Sequence, residues 1–344
     1  MPQHSSAYLS HLQPLAASNK HNHSLLWRGL LKRNWLKQVD ASHQPKDAID
    51  APIPVFIKQL QQGYRPYHLQ QLQQEVMTLQ SCQSLAIAPY PSVHARIGIP
   101  TLYAASTSQP LHHGLIIEDC VNSYVKESVK NSDLLAPYPY IVMSYHAGDN
   151  LKTLITSANF NISVAQKIRI FVQLCQLVQR FHQIGYLHLD LKPSNVIVTN
   201  PNAPNPQLIM VDFGLSLAIV VPPTTTPTTQ YTAGTPAYMS PERFTGKVPD
   251  PRSDYYSLGI IFYELLTGVL PFQAQDFRGW AVAHCQTEVP IISISKSIFC
   301  HTNNWDSLAY QICQSVLDAL LAKHIYHRTN SLMPIISALN CLIK

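Results

Sequence analysis

The sequence has few charged residues and few glycines for its length. Charged side chains make up 12% of the 344 residues, which is about half the usual share, while hydrophobic residues make up 46% and can supply a full core. The net charge of +5 is mild, and the basic residues form no extended cluster. We therefore expect no nucleic-acid partner.

The chain also lacks the cysteine pattern of a disulfide-rich or zinc-binding protein. Its seven cysteines are scattered and include no C-x-x-C pair, which argues against a disulfide framework and a zinc site. Residues 1 to 20 are polar and contain no apolar run of signal-peptide length. Because no stretch offers the roughly 18 uncharged apolar residues of a membrane-spanning helix, we expect a soluble cytoplasmic protein with no membrane span.

Three short motifs follow one another between His188 and Glu242. They read His-Leu-Asp-Leu-Lys-Pro-Ser-Asn over 188–195, Asp-Phe-Gly over 212–214 and Ser-Pro-Glu over 240–242. Each alone is weak, because Asp-Phe-Gly is most often a turn and a neighbouring Asp and Asn are usually local caps. In this order, with Gly-Thr-Pro-Ala-Tyr-Met before Ser240, they resemble the catalytic loop, metal-binding motif and activation-segment end of a protein kinase.

That resemblance implies an ATP-dependent Ser/Thr protein kinase that uses Mg²⁺. Asp190 matches the catalytic base for the substrate hydroxyl, while Asn195 and Asp212 match the magnesium ligands. Lys192 matches the lysine that contacts the transferred phosphate in Ser/Thr kinases, and Thr235 matches the threonine that contacts base and lysine. Oxygen ligands such as these suit magnesium, and the expected partner is a protein substrate with a Ser or Thr acceptor.

Two residues further upstream match the pair that orients the ATP phosphates. Lys58 ends the apolar run Val-Phe-Ile and resembles the strand lysine that holds the α- and β-phosphates, although a surface lysine closing a strand would show the same pattern. Glu75 is the only acidic residue between Lys58 and Ile117. It lies in a helical pattern with the apolar stripe Leu69, Leu72, Val76 and Leu79. We therefore expect a Lys58–Glu75 ion pair, which the active kinase form requires.

The hinge that binds the adenine edge is expected directly after a strand over Tyr140–Met143. Met143 matches the gatekeeper position of the family, which an ordinary core residue at a strand end could also occupy. The backbone groups of Ser144, Tyr145 and His146 would then contact adenine.

The glycine-rich loop that covers the phosphates in protein kinases is poorly represented. Gly29 is the one glycine before Lys58, and we interpret residues 27–35 as a degenerate loop with strands on either side. Leu30, Leu31 and Lys32 would restrict the approach of the backbone to the phosphates, which predicts weaker ATP binding. The alternative is a two-stranded hairpin that makes no phosphate contact.

A second departure is Leu189, where the family usually has an arginine. That arginine pairs with a phosphate on the activation segment and orders it. Leucine cannot do so, and we hypothesise that activity does not depend on a phosphate docked beside Asp190. A group of threonines among prolines still invites modification, although a flexible polar loop would have the same composition. They are Thr224, Thr225, Thr226, Thr228 and Thr229.

The predicted fold is α+β, namely the two-lobed protein kinase fold. A small antiparallel β-sheet lobe carries one main helix, and a larger lobe is mostly helical. Residues 1–22 are expected to form an N-terminal tail, 23–143 the first lobe and 144–344 the second. Residues 105–139 have no strong periodicity and are predicted to be an insertion in the first lobe.

Several residues of the second lobe have expected structural roles. Ser163 and Gln166 form a plausible capping box for a long helix, and Tyr255–Thr267 reads as a buried helix because it is apolar all round. The family resemblance implies that Asp254 holds the backbone of the catalytic loop, and an N-cap is a second role that is compatible with the first. It also implies a buried Glu242–Arg328 ion pair. We expect His188 to pack in the core and bond backbone.

Two other functions are compatible with these motifs. The thin glycine loop and Leu189 would suit a pseudokinase-type binding or scaffold protein. Small-molecule kinases also use an Asp and an Asn with the spacing of Asp190 and Asn195. They are not expected to carry the segment Gly234–Glu242, which shapes a platform for protein substrates.

Overall fold

The computed structural model describes most of the chain in nine stretches. These are residues 9–15, 24–31, 53–60, 64–86, 98–106, 139–157, 162–219, 231–292 and 307–343. The chain divides into two compact units. The first unit comprises Met1–Pro89 with Pro100–His146, and the second comprises Tyr90–Ile99 with Ala147–Lys344.

A five-stranded antiparallel sheet forms the framework of the first unit. Its strands are β1 Leu9–Pro14, β2 Ser24–Leu31, β3 Ile53–Leu60, β4 Leu102–Ser106 and β5 Tyr140–Ser144. Their spatial order is β1-β2-β3-β5-β4. Side chains alternate between the faces of a strand, so Val55 and Ile57 of β3 are buried while Lys58 lies on the opposite face and is partly exposed.

One long helix, α1 (Pro66–Ala86), accompanies this sheet. The predicted apolar stripe is confirmed, since all of its members are buried: Leu69, Leu72, Val76 and Leu79. Their spacing of three and four residues places them on one side of a helix. Glu75 is also buried. The helix therefore carries its one acidic side chain into the interior of the first unit.

Two predictions for the beginning of the chain are wrong. The predicted tail over residues 1–22 contains β1, which pairs with β2. This pairing satisfies the backbone N–H and C=O groups of β1, so the strand forms although its sequence contains no apolar run. Gly29 does not lie in a loop, because it sits inside β2 opposite Val55 of β3. A single glycine weakens a strand but does not end it, and here the residues on both sides of Gly29 also pair with β3.

Several other predicted segments cannot be compared with the structure. Most of the predicted insertion over 105–139, together with Lys32 and the threonines between 224 and 229, lies outside the described residues. The two ends of that insertion are described, and Ala105 belongs to β4.

The second unit is mainly helical. Its helices are α2 Leu151–Thr156, α3 Val164–Gln183, α4 Pro241–Phe244, α5 Pro251–Thr267, α6 Phe277–Gln286, α7 Ser307–Leu321 and α8 Met333–Asn340. Its short strands are β6 Asp149–Asn150, β7 Tyr186–Leu187, β8 Val196–Thr199, β9 Gln207–Met210 and β10 Leu217–Ala218. Strands β6, β8 and β9 form one sheet and β7 and β10 another. The predicted α+β class is confirmed.

Helix α5 is the centre of the second unit. It is buried along most of its length, as its apolar sequence predicts. Gly259 permits a close approach of α7, because a Cβ atom there would lie 2.7 Å from Cδ2 of Leu321. The helix begins earlier than predicted, at Pro251, with Asp250 as its N-cap. Asp254 is therefore not an N-cap, and its carboxylate is used elsewhere.

Helix α3 begins at the predicted cap, but the expected capping box is only half formed. The Ser163 hydroxyl accepts a hydrogen bond from the Gln166 backbone at 3.2 Å. The Gln166 side chain does not return to Ser163 but donates to the carbonyls of Pro201 and Ala203 at 2.7 and 2.6 Å. Among the helices of the described stretches, none is long and apolar enough to cross a membrane.

Candidate active site

Asp190 lies in the loop between β7 and β8, and hydrogen bonds fix its carboxylate. The backbone N–H and the hydroxyl of Thr235 donate to Oδ1 at 2.9 and 2.8 Å. The Lys192 ammonium donates to Oδ2 at 2.6 Å and to the Thr235 hydroxyl at 2.9 Å. The structure therefore brings Asp190, Lys192 and Thr235 together, and the predicted contacts of Thr235 with the base and the lysine are present.

The backbone just before Asp190 is held by a buried carboxylate. Asp254 accepts hydrogen bonds from the backbone N–H groups of His188 and Leu189 at 2.8 and 2.9 Å. Nε2 of His182 lies 2.8 Å from the same carboxylate. Burial alone would raise the pKa of Asp254, but the hydrogen bond from His182 and the neighbouring charges outweigh it and lower the pKa. The predicted role of Asp254 in holding the catalytic loop is confirmed.

His188 is fully buried and serves the core, as predicted. Its Nε2 lies 3.3 Å from the carbonyl oxygen of Val211, and burial lowers its pKa. Its ring packs beside Phe213, with the two centroids 5.4 Å apart. Phe213 also packs against Phe181 at 5.3 Å. These ring contacts anchor the residue that follows Asp212.

Asn195 and Asp212 lie at the same end of the β8–β9 hairpin. Val196 pairs with Met210, and the Val211 backbone N–H donates to the Asn195 carbonyl at 3.0 Å. The Asn195 side chain donates from Nδ2 to the Asp190 carbonyl at 3.0 Å, so its Oδ1 atom is the end that can accept or ligate. Together with the Asp212 carboxylate, this donor set fits magnesium, which prefers hard oxygen ligands.

Two residues of the site have left-handed backbone conformations that the sequence does not reveal. Leu189 has φ of 62° and Asp212 has φ of 67°. Such a conformation costs a non-glycine residue on the order of 1–3 kcal/mol and persists only where its surroundings enforce it. At Leu189 the backbone N–H is held by Asp254 and the carbonyl by Arg243. The catalytic loop is therefore held at Leu189 by groups from other segments.

Arg243 is a site residue that the sequence analysis does not identify. It follows the Ser-Pro-Glu motif directly and is buried. Its Nε donates to the Tyr231 carbonyl at 3.0 Å, and its two terminal nitrogens donate to the carbonyls of Leu189 and Ala233. An arginine next to a motif, in a chain whose first motif has leucine in the usual arginine position, is the signal that could have found it.

The end of the activation-segment motif is fastened to the helices behind it. Glu242 and Arg328 form the predicted ion pair, with both N–O distances at 3.0 Å. Burial would raise the pKa of Glu242, but the hydrogen bonds and charge of Arg328 outweigh it and lower the pKa. The Ser253 hydroxyl also donates to Glu242 at 2.7 Å. The Tyr238 hydroxyl donates to Glu264 on α5 at 2.7 Å.

The first unit contains the predicted Lys58–Glu75 ion pair. The Lys58 ammonium on β3 lies 2.8 Å from Oε2 of Glu75 on α1. The Lys58 side chain is 21% exposed, whereas that of Glu75 is 2% exposed. The pair thus connects the sheet to its helix while part of the lysine remains in contact with water.

The predicted hinge residues form the end of β5 and the turn after it. Met143 is buried in β5 and pairs with Phe56 of β3. The Ser144 backbone N–H donates to the Thr101 carbonyl at 2.8 Å. The Ser144 hydroxyl lies 2.8 Å from Nε2 of His146, and burial lowers the pKa of that histidine. Contact of these residues with adenine stays a prediction.

The sequence is similar to a known family and to several known proteins. A family model described as protein kinase domain matches residues 112–338. Serine/threonine-protein kinase Pkn1 of Myxococcus xanthus is 31% identical over 199 residues, which are 56% of this chain and 28% of that protein. Serine/threonine-protein kinase PknB of Mycolicibacterium smegmatis is 38% identical over 136 residues, or 40% of this chain and 21% of that protein.

A third relative is a probable serine/threonine-protein kinase PknB of Corynebacterium glutamicum. It is 34% identical over 150 residues, which are 44% of this chain and 22% of that protein. The chain thus matches between 21% and 28% of the length of these three curated relatives.

Proposed function

Because the chain belongs to the protein kinase family, we propose that it transfers the γ-phosphoryl group of ATP to Ser or Thr hydroxyls of proteins, with Asp190 as the catalytic base. The observation that carries this proposal is the fixed carboxylate of Asp190, held by Thr235 and Lys192. A base is effective when its oxygen is already aimed at the proton that it accepts. The Thr235 bonds leave Asp190 little freedom to turn away.

The reaction assigns one task to each of these groups. The substrate hydroxyl gives its proton to Asp190 while its oxygen bonds to the γ-phosphorus, and the bond from that phosphorus to the bridging oxygen of ADP breaks. The Lys192 ammonium, which lies 2.6 Å from Asp190, would balance the negative charge of the phosphoryl group in transfer. The position of this lysine and the names of the relatives support Ser/Thr acceptors.

We assign nucleotide binding to residues of the first unit and metal binding to residues of the second, each taken by itself. Lys58, oriented by Glu75, would bind phosphate oxygens, and Met143, Ser144 and His146 would line the adenine position. Asn195 and Asp212 would ligate Mg²⁺, which neutralises phosphate charge when bound. Gly29 lies within a strand, and we assign it no phosphate contact. ATP would therefore be bound through the charged side chain of Lys58, without the backbone contacts of a glycine-rich loop.

We further propose that the protein acts in the cytoplasm. The reaction consumes ATP, and the described cysteines are free thiols, as a reducing compartment maintains them. They are Cys82, Cys175, Cys285, Cys313 and Cys341.

A transfer assay with a matched pair of variants tests the proposal. The purified chain is incubated with labelled ATP, magnesium and a generic acceptor protein, beside the Asp190→Asn and Asp318→Asn variants. Asp318 is exposed on α7 and accepts a hydrogen bond from Gln314 at 2.9 Å, so it controls for the loss of a carboxylate. We expect kcat to fall by about 10²- to 10⁴-fold for Asp190→Asn and by less than about twofold for the control.

Two results would contradict the proposal. ATP binding by the unaltered chain without label on any protein would indicate a binding or scaffold module. Label on metabolites alone would indicate a small-molecule kinase.

A further inference from the structure

Arg243 is a buried arginine that donates to main-chain carbonyls from all three of its guanidinium nitrogens. Two of the acceptors, Tyr231 and Ala233, belong to the activation segment, which we define as residues 212–242. The third acceptor is Leu189, the residue directly before Asp190. One cation therefore joins the catalytic loop to the activation segment through backbone atoms.

These contacts close a ring of interactions around the catalytic base. Arg243 holds the Leu189 carbonyl on one side and the Ala233 carbonyl on the other. Two residues after Ala233, Thr235 donates to the Asp190 carboxylate from its backbone at 2.9 Å. The ring thus runs from Arg243 through Leu189 and Asp190 to Thr235 and back through Ala233. A displacement of the activation segment would pull Thr235 away from Asp190.

The surroundings of Arg243 are shaped for this cation. Burial lowers its pKa, and the carboxylates of Asp254, Asp190 and Glu242 act in the opposite direction, while an arginine side chain stays charged in proteins. Gly234 packs directly against it, because a Cβ atom there would lie 3.2 Å from Nη2 of Arg243 and 3.3 Å from the Leu189 carbonyl oxygen. The left-handed backbone of Leu189 allows its carbonyl to bond Arg243 while its N–H bonds Asp254.

We propose that Arg243 is a positioning residue that replaces a docked phosphate, because it fastens the activation segment to the catalytic loop and keeps Thr235 on Asp190 without phosphorylation. Leu189 offers an apolar, buried side chain that cannot bind a phosphate, but its carbonyl serves as the anchor. A guanidinium in the interior provides permanently what a phosphate on the segment would provide only after modification. This inference rests on the proposed function, because it explains how the proposed base is kept in place.

Two measurements on the full chain test the inference. The first is hydrogen–deuterium exchange of the peptide that contains Thr235, which reports the fastening whether or not the protein transfers phosphate. The second is kcat together with ATP affinity. Both are applied to the unaltered chain before and after phosphatase treatment, to Arg243→Lys and to Arg252→Lys. Arg252 is the matched control, because it pairs with Asp250 at a partly exposed position of α5.

For Arg243→Lys we expect faster exchange at the Thr235 peptide and a lower kcat, each by at least about tenfold, because lysine cannot bond all three carbonyls. ATP affinity should change by less than about threefold, because Arg243 is not expected to touch the nucleotide. The control and the phosphatase-treated chain should match the untreated chain in both measurements. A loss of global stability would instead accelerate exchange in all peptides.

A second variant keeps the test decisive if Arg243→Lys folds poorly. Arg243→Ala leaves a space that guanidinium ion can enter, and millimolar guanidinium should restore part of kcat and of the Thr235 protection, whereas urea at the same concentration should not. The inference is overturned if phosphatase treatment accelerates exchange at Thr235 while Arg243→Lys leaves it unchanged. If the unaltered chain transfers no phosphate, the proposed function fails, and the exchange data still decide this inference.

Discussion

The two units each contain an ion pair between residues distant in sequence, and the two pairs are built differently. In the second unit, Arg328 holds Glu242 through two N–O contacts of 3.0 Å, and the side chains are 0% and 5% exposed. In the first unit, Lys58 approaches Glu75 with one ammonium at 2.8 Å, and the lysine is 21% exposed. The Glu242–Arg328 pair is a planar contact with two hydrogen bonds and is buried away from water. The Lys58–Glu75 pair is made through one ammonium group that is partly exposed to water.

This difference indicates different roles for the two pairs. The Glu242–Arg328 pair has further hydrogen bonds from Ser253 to Glu242 and from Arg328 to the Arg252 carbonyl at 2.7 Å each, so little remains for a ligand to bind. An ammonium with three donors and partial contact with water can approach a further anion. The second unit therefore uses its pair to fix the fold, and for the partly exposed pair of the first unit we propose a role in nucleotide binding.

The largest expected effect is on stability, for Glu242→Gln. The change leaves the buried Arg328 guanidinium without its counter-charge, which costs about 3–5 kcal/mol of unfolding free energy. Asp250→Asn is the matched control, because Asp250 also binds an arginine, Arg252, but at a partly exposed position, and it should cost at most about 1 kcal/mol. Urea unfolding followed by circular dichroism measures both. Equal losses of unfolding free energy in the two variants would show that burial does not make the Glu242–Arg328 pair more important for stability than the Asp250–Arg252 pair.

For the ion pair of the first unit, Glu75→Gln should affect ATP more than folding. Without the carboxylate, Lys58 is no longer oriented, and a charge-assisted contact worth about 1.5–3 kcal/mol is weakened, or roughly a 10- to 100-fold rise in the Kd of ATP. Isothermal titration with magnesium-ATP measures that constant, with the exposed Glu288→Gln as control. Unchanged ATP affinity would show that this pair is as purely structural as the other.

The smallest expected effect, taken per pH unit, is a pH dependence of stability that arises from His284 on α6 in the second unit. This histidine is buried beside Tyr256 and Trp280, and burial lowers its pKa to about 3. The unfolded chain has a histidine pKa near about 6.5. Between these values only the unfolded state binds the proton, so stability is present above about pH 6.5 and is lost as the pH falls, by about 1.4 kcal/mol per pH unit.

The variant His284→Phe should remove that contribution. The unfolding free energy is measured with urea at several pH values between about pH 6 and about pH 4. For His284→Phe, its slope against pH should be smaller than that of the unaltered chain by about 1.4 kcal/mol per pH unit. His324→Phe, at an exposed position, should leave the slope unchanged. The same slope in His284→Phe would mean that this histidine is protonated in the folded protein.

The sequence predicted best those parts of the site in which motif residues bond one another. Asp190, Lys192 and Asn195 share one loop, so their spacing nearly determines their contacts, and the Lys58–Glu75 and Glu242–Arg328 pairs follow from family positions. The family resemblance and helical periodicity also gave the α+β class and the apolar stripe of α1.

What the sequence missed depends on the backbone. Strand β1 is held by main-chain pairing with β2, which needs no apolar run, and Gly29 is accommodated in a strand for the same reason. The left-handed Leu189 is imposed by groups from other segments. Arg243 has main-chain carbonyls as acceptors, and every residue possesses one, so no residue type marks the contact.

That last property has a consequence for how this chain can change over generations. A contact to a carbonyl oxygen survives when the side chain attached to the same residue is exchanged. The side chain of Ala233 can thus change while Arg243 continues to hold its carbonyl group, whereas Gly234 and Thr235 beside it are each tied to the site by their own residue type. A kinase that depends on a phosphothreonine must retain that threonine, whereas the role proposed for Arg243 would place no such demand on the activation segment.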